Sequence, residues 1–168
     1  RLLQLTAALL CAVILSACGG APADTDYTCT VSISCATILD NMDQCAESKK
    51  ELVPADGVIL PPTEVAFAEG ESAFDVLQWV CRDNGIHLES KFTPVYNSAY
   101  IQGIRNIYEF DVGKLSGWMY AVNDWFPNYG CSLYQVQDGD VIRWVYTCDL
   151  GADVGGGKAA GDGQQEGA

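Results

Sequence analysis

Gly70-Glu71-Ser72-Ala73-Phe74-Asp75-Val76-Leu77-Gln78-Trp79-Val80-Cys81-Arg82-Asp83-Asn84-Gly85 is the stretch on which the fold turns. Ser72 can cap a helix, and Asp75 three residues on completes a capping-box-like pattern. Phe74, Leu77, Val80 and Cys81 recur at helical spacing and form one apolar stripe. Asn84-Gly85 suits a left-handed C-cap. This is the clearest helical pattern of the chain, and most of what surrounds it alternates or turns.

Upstream, residues 27–35 alternate, with Cys29, Val31, Ile33 and Cys35 on one face and small polar residues on the other. That is a half-buried strand. Residues 36–42 suit a short helix. Val53-Pro54-Ala55-Asp56-Gly57 is turn chemistry before a short strand at 58–60. Pro61-Pro62 is expected to break it, and residues 64–68 alternate again. Downstream, 86–92 reads as a strand, 93–103 as a loop and 104–110 as a strand. Residues 117–123 form another strand, with Trp118, Tyr120 and Val122 on one face. Residues 124–130 make a hairpin tip, and Asp138-Gly139-Asp140 turns the chain into a last strand at 141–148. One main helix on a mixed or antiparallel sheet predicts an α+β domain.

The chain carries a formal net charge of −13. Such a surface repels nucleic acid and anionic lipid, so no nucleic-acid role is expected. Leu9-Leu10-Cys11-Ala12-Val13-Ile14 runs into Leu15-Ser16-Ala17-Cys18. This apolar run followed by small residues and a cysteine resembles the lipobox of bacterial lipoproteins. Cleavage before Cys18 and lipid attachment to its thiol are expected. Residues 1–17 are then a signal peptide truncated at its start, whose apolar stretch from Leu5 to Ala17 is too short to span a bilayer comfortably. Residues 18–26 form a flexible tether, 27–150 the folded domain, and 151–168 a disordered tail of Gly, Ala, Asp and Gln. The expected location is extracytoplasmic, anchored to the bacterial cell membrane.

That address bears on the cysteines. Cys11 leaves with the signal and Cys18 takes the lipid. Cys29, Cys35, Cys45, Cys81, Cys131 and Cys148 remain as disulfide candidates, with no pairing assigned. Cys81, on the apolar side of the helix, is the best candidate for a buried free thiol. A zinc site is not expected, since no CxxC pair occurs and His87 is the lone histidine. Asp149 and Asp153 flank glycines without EF-hand spacing.

No GxSxG, HExxH or phosphate loop with its lysine is present, so no catalytic residue is assigned and an enzyme is not expected. Asp138 and Asp140 read as turn residues. Aromatics crowd the last third of the chain. Trp118, Tyr120, Trp144 and Tyr146 on strands suit core packing. Trp125, Phe126 and Tyr129 on a loop tip suit either recognition or a plug folded back on the domain. Residues 96–100 add two phenols, an amide and a hydroxyl.

Four segments form one ordered set: Asp56-Gly57-Val58, the run from Glu69 to Leu77, the run from Ser116 to Asn123, and Tyr134-x-Val136-x-Asp138-Gly139-Asp140-Val141-Ile142-x-Trp144. The set resembles the transcobalamin-like C-terminal domain family. The resemblance implies a β-grasp-like fold, a mixed sheet with one main packed helix. In the cobalamin carriers of that family the similar domain closes over one face of the ligand, and a helical domain holds the other. Residues 99–104 and 118–129 look like the segments that approach the corrinoid. The resemblance therefore implies Tyr100, Gln102, Trp118, Tyr120, Trp125, Phe126 and Tyr129 as ligand-binding residues. The expected function is non-catalytic binding of a small ligand, with cobalamin or another corrinoid as candidate. The alternatives are a cell-surface module binding a protein or glycan through exposed aromatics, or an accessory subunit completing a site with a partner protein.

Overall fold

The computed structural model describes residues 27–156. The expected signal peptide, Cys18, the tether and residues 157–168 of the tail lie outside the described residues. The elements run β1 (Tyr27–Ser34), β2 (Val58–Phe67), α1 (Ala73–Asp83), β3 (Leu88–Thr93), β4 (Ser98–Ile104), β5 (Ile107–Tyr108), β6 (Gly117–Val122) and β7 (Val141–Thr147), with short 3-10 turns between β1 and β2. The architecture is α+β and β-grasp-like. A four-stranded sheet has the order β2-β1-β7-β6, and a three-stranded sheet the order β3-β4-β5. The central β1–β7 pair is parallel, and the other pairs are antiparallel.

Period-two alternation sets the inner face of the large sheet. Val31 pairs with Ile142 and Ile33 with Trp144, and all four are buried. The stripe of α1, Val76, Leu77, Val80 and Cys81, enters the same core. The helix starts as its sequence requires. The Ser72 hydroxyl accepts from Asp75 N, and Ser72 N donates to Asp75 Oδ2 at 2.9 Å. It stops at Asn84, with Gly85 beyond it at φ +63.

Three elements differ from the sequence expectation. Pro61-Pro62 does not break the strand, because β2 lies at the sheet edge and the prolines fall in a register shift opposite Ser32. An edge strand loses little from a missing N–H. Residues 93–103 are mostly a strand, since β4 pairs with β3 across the turn at 94–97. The strand expected at 104–110 shrinks to β5, because Arg105 (φ 54) and Asn106 (φ 60) make a tight hairpin turn.

The start of the expected tail is also ordered. Residues Ala152–Val154 form a 3-10 turn, and the Asp153 carboxylate accepts from Cys148 N–H at 2.7 Å and from the Thr147 hydroxyl. Side-chain capping orders this segment without any core-forming residue.

The six cysteines of the described residues are free thiols, so the expected disulfides are absent from this fold. For Cys29 and Cys35 the strand geometry gives the reason. Cys29 lies opposite Val65, not a cysteine, and Cys35 lies six positions further along the chain, just past the end of β1. At about 3.3 Å per residue these two are far out of bonding reach. Cys81 is buried on the helix stripe, as its position implied.

Burial pushes the Cys29, Cys81 and Cys131 thiols up to about 12, and those of Cys35 and Cys148 up to about 11. The consequence for stability has a definite sign. Below the ordinary thiol value of 9.0 both states keep their protons. Above it the unfolded chain ionises and the folded chain does not, so stability falls until the folded thiols also ionise. The melting temperature should hold from about pH 7 to 8 and decline steadily above about pH 9. A melting temperature unchanged up to about pH 10.5 would contradict burial of these thiols.

Candidate functional site

The β3–β4 hairpin and strand β6 stand as two walls, and residues 125–133 run between them. Hydrogen bonds pin this loop on both sides. The Tyr120 hydroxyl donates to the Tyr129 carbonyl at 3.0 Å. On the other wall Ala99 N–H donates to Ser132 Oγ at 3.0 Å, and the Ser98 and Ser132 hydroxyls stand 2.8 Å apart. Gly130 permits this closeness. A Cβ there would stand 1.9 Å from Ser98 Oγ.

Two adjoining hollows result. The outer one, about 280 Å³, is lined by Thr93, Tyr96, Ser98, Asn128 and Tyr129. The inner one, about 190 Å³, is lined by Ile101, Trp118, Met119, Tyr120, Cys131 and Trp144. Both include Ala99, Tyr100, Pro127 and Gly130, so they form one groove.

The aromatic walls are ordered by their own contacts. Tyr120 stacks on Trp144 with ring centroids 5.5 Å apart. Trp118 meets Tyr146 edge-on at 5.2 Å, and its Nε1 donates to the Ile107 carbonyl at 2.8 Å. Tyr100 sits at the rim with Lys91 Nζ 5.2 Å from its ring centroid, and its hydroxyl donates to Glu109 Oε2. Burial, then the bond to Glu109 and its charge, push the Tyr100 phenol up to about 12. Burial also raises Tyr120 well above the ordinary phenol range, with Tyr129 as the next cause. Both therefore act as neutral hydrogen-bonding groups at physiological pH. The groove is lined mainly by aromatic and small side chains, with the Tyr100 and Tyr129 rings the more exposed ones.

Tyr100, Trp118, Tyr120 and Tyr129 come together in the groove. Gln102 lies two positions along β4 and does not line it. Trp125 is exposed and packs edge-to-face on Tyr129 at 5.9 Å, behind the lining. The Phe126 ring turns toward Gly156, where a Cβ would stand 3.0 Å from it. Thr93 and Asn128, which the sequence did not single out, join the lining, as do Cys131, expected as a disulfide candidate, and Trp144, expected in the core. Trp144 does so because it lies directly across from Tyr120 in the β6–β7 register, which no local pattern encodes. Among the described residues no group of three His, Cys, Asp or Glu side chains gathers as a metal site, and no helix is long and apolar enough to cross a membrane.

A family described as Domain of unknown function (DUF4430) matches residues 70–148. No curated protein sequence matches the chain. A crystal structure of haptocorrin in complex with Cbi is similar at 13% identity with a TM-score of 0.55, covering 74% of this chain and 25% of that one. This chain thus has a transcobalamin-like fold and spans a quarter of the length of that protein. A structure described as a candidate metal binding protein from Ruminococcus gnavus is similar at 15% identity with a TM-score of 0.43, covering 73% of this chain and 97% of that one.

Proposed function

We propose that this domain is a non-catalytic binding module for a small flat ligand, with a corrinoid as the candidate, held by a lipid at a membrane outside the cytoplasm. The convergence of Tyr100, Trp118, Tyr120 and Tyr129 on one groove carries the reading. The haptocorrin structure with a similar fold, which holds the cobalamin analogue Cbi, supports the choice of ligand. Titration with cyanocobalamin or dicyanocobinamide, followed by visible absorbance and calorimetry, tests it. Saturable binding is expected, and Tyr129→Ala should weaken it about tenfold through loss of a stacking face. Absence of heat and spectral change at high-micromolar ligand would remove the corrinoid.

The hairpin apex beside the groove favours a partner as a second reading. Val95 is 86% exposed and Tyr96 71% exposed, with Phe92 close behind. An apolar rim of this kind suits an accessory role, in which a second protein covers the open side of the ligand. Anchoring has its own test. Cys18→Ala should move the protein from the membrane to the soluble fraction, because the lipid is the proposed anchor. Membrane retention of that variant would refute anchoring through Cys18.

A further inference from the structure

Strands β2, β6, β3 and β5 lie at the edges of the two sheets. An open edge recruits a further strand unless something blunts it. β2 carries Pro61-Pro62. β6 is closed at its end, where Val122 N donates to Trp125 O at 2.8 Å and Trp125 N to Val122 O at 2.9 Å. β5 is two residues long. β3 has none of these devices, and among the described residues its strand neighbour is β4 alone.

The phase of β3 fixes which groups its open side presents. Arg105 N donates to His87 O at 2.7 Å, so His87 and Glu89 face β4 by antiparallel alternation. The register shift skips Gln102 on β4 and leaves the alternation of β3 unbroken. Ala99, opposite Phe92, gives its N–H to Ser132 rather than to β3, which is the same phase. The N–H and C=O of Leu88, Ser90 and Phe92 therefore point out from the sheet. Side chains along this edge are accessible too, with Glu89 and Lys91 exposed and Phe92 63% exposed.

We propose that β3 is a homodimer edge, pairing antiparallel with β3 of a second copy of this chain across a two-fold axis at Ser90. The run Leu88-Glu89-Ser90-Lys91-Phe92 is self-complementary about that residue. Leu88 falls opposite Phe92 of the second copy, and Ser90 opposite Ser90. These are the outward-facing positions, so each pair exchanges main-chain bonds. Glu89 falls opposite Lys91 at the intervening positions, where facing side chains come closest and opposite charges attract. Leu88 covers the exposed Phe92 ring. Other registers in this phase fail. Centred on Phe92, Ser90 meets Pro94, which has no N–H. Centred on Leu88, the second copy runs past the start of β3. The interface is isologous and small, so the dimer is a weak one. The inference does not depend on what the groove binds.

Sedimentation velocity of the full chain, from about 1 to 300 μM at about 150 mM salt, tests it. A monomer–dimer equilibrium is expected. Ser90→Pro removes the outward N–H at the axis without touching the β3–β4 ladder, and should leave a folded monomer at every concentration. Glu89→Lys and Lys91→Glu each set like charges opposite one another and should weaken self-association about tenfold. Mixed in equal amounts, these two variants match again and should form a heterodimer as tight as the parent dimer. Should Ser90→Pro fail to fold, as judged by circular dichroism, the two charge variants and their mixture decide. A chain that stays monomeric throughout overturns the proposal. So does a dimer that survives in folded Ser90→Pro, or a pair of charge variants that do not complement, since the contact then lies elsewhere, such as the exposed Val95–Tyr96 apex.

Discussion

Asp140→Ala should lower the unfolding free energy by about 3 to 5 kcal/mol. Asp140 is 4% exposed, and its carboxylate accepts three hydrogen bonds. Asn123 Nδ2 donates to Oδ1 at 2.8 Å, while the Tyr134 hydroxyl and Gln137 N–H each donate to Oδ2 at 2.8 Å. Alanine would leave three donors around a buried hole. The damage would extend beyond the turn, because Asn123 also ties the ends of β6 and β7 through Val141. Asp140→Asn keeps one acceptor oxygen and should cost about half as much. Denaturant unfolding of the two variants checks this. A loss under about 1 kcal/mol for Asp140→Ala would show that water replaces the carboxylate at little cost.

Gly57→Ala should be nearly as severe, at about 2 to 5 kcal/mol. Two penalties add. Gly57 sits at φ +70, where a side chain is strained, and its new Cβ would stand 2.4 Å from Ala36 Cα. The neighbour is backbone and cannot swing aside. The contact matters because Gly57 O accepts from Cys35 N at 2.8 Å and from Ser34 Oγ, joining the end of β1 to the start of β2. Gly70→Ala is the control. Gly70 has φ +86 but nothing within 4 Å of its Cβ position, so it should show the backbone penalty alone, about 1 to 2 kcal/mol. Equal losses for the two variants, read from thermal or denaturant unfolding, would rule out the steric part.

Local signals carried much of the fold. Ser72 and Asp75 announce the helix, and the alternation of Cys29, Val31 and Ile33 announces β1, because capping and period-two burial act within a few residues. The turn at Asp138-Gly139-Asp140 is equally local, with Gly139 at φ +81. What failed was also physical. Pro61-Pro62 forbids a central strand, but only the sheet order shows that β2 is an edge. Residues 98–104 mix small residues with Tyr100 and two isoleucines, and they become a strand only when β3 supplies the ladder.

The candidate site was legible in part for the same reason. The segment resemblance led to Tyr100, Trp118, Tyr120 and Tyr129, and these share the groove. It also led to Gln102, Trp125 and Phe126, which belong to the same segments but do not line it. Sequence proximity places a residue on an element, and it does not say which way a loop residue turns once neighbours compete for the space.

By itself the sequence determined the acidic surface, the capped helix, the strand alternation and the α+β class, since each depends on residues close along the chain. Only the tertiary structure decided that Asp140 is a buried three-donor acceptor rather than a plain turn residue. It alone showed the six cysteines of the described residues as free thiols, and for Cys29 and Cys35 the reason is the extended strand that holds residues six apart well separated. And it alone set Trp144 across from Tyr120 with its N–H unspent, because a hydrogen-bond deficit exists only where distant segments close around a group and provide no acceptor.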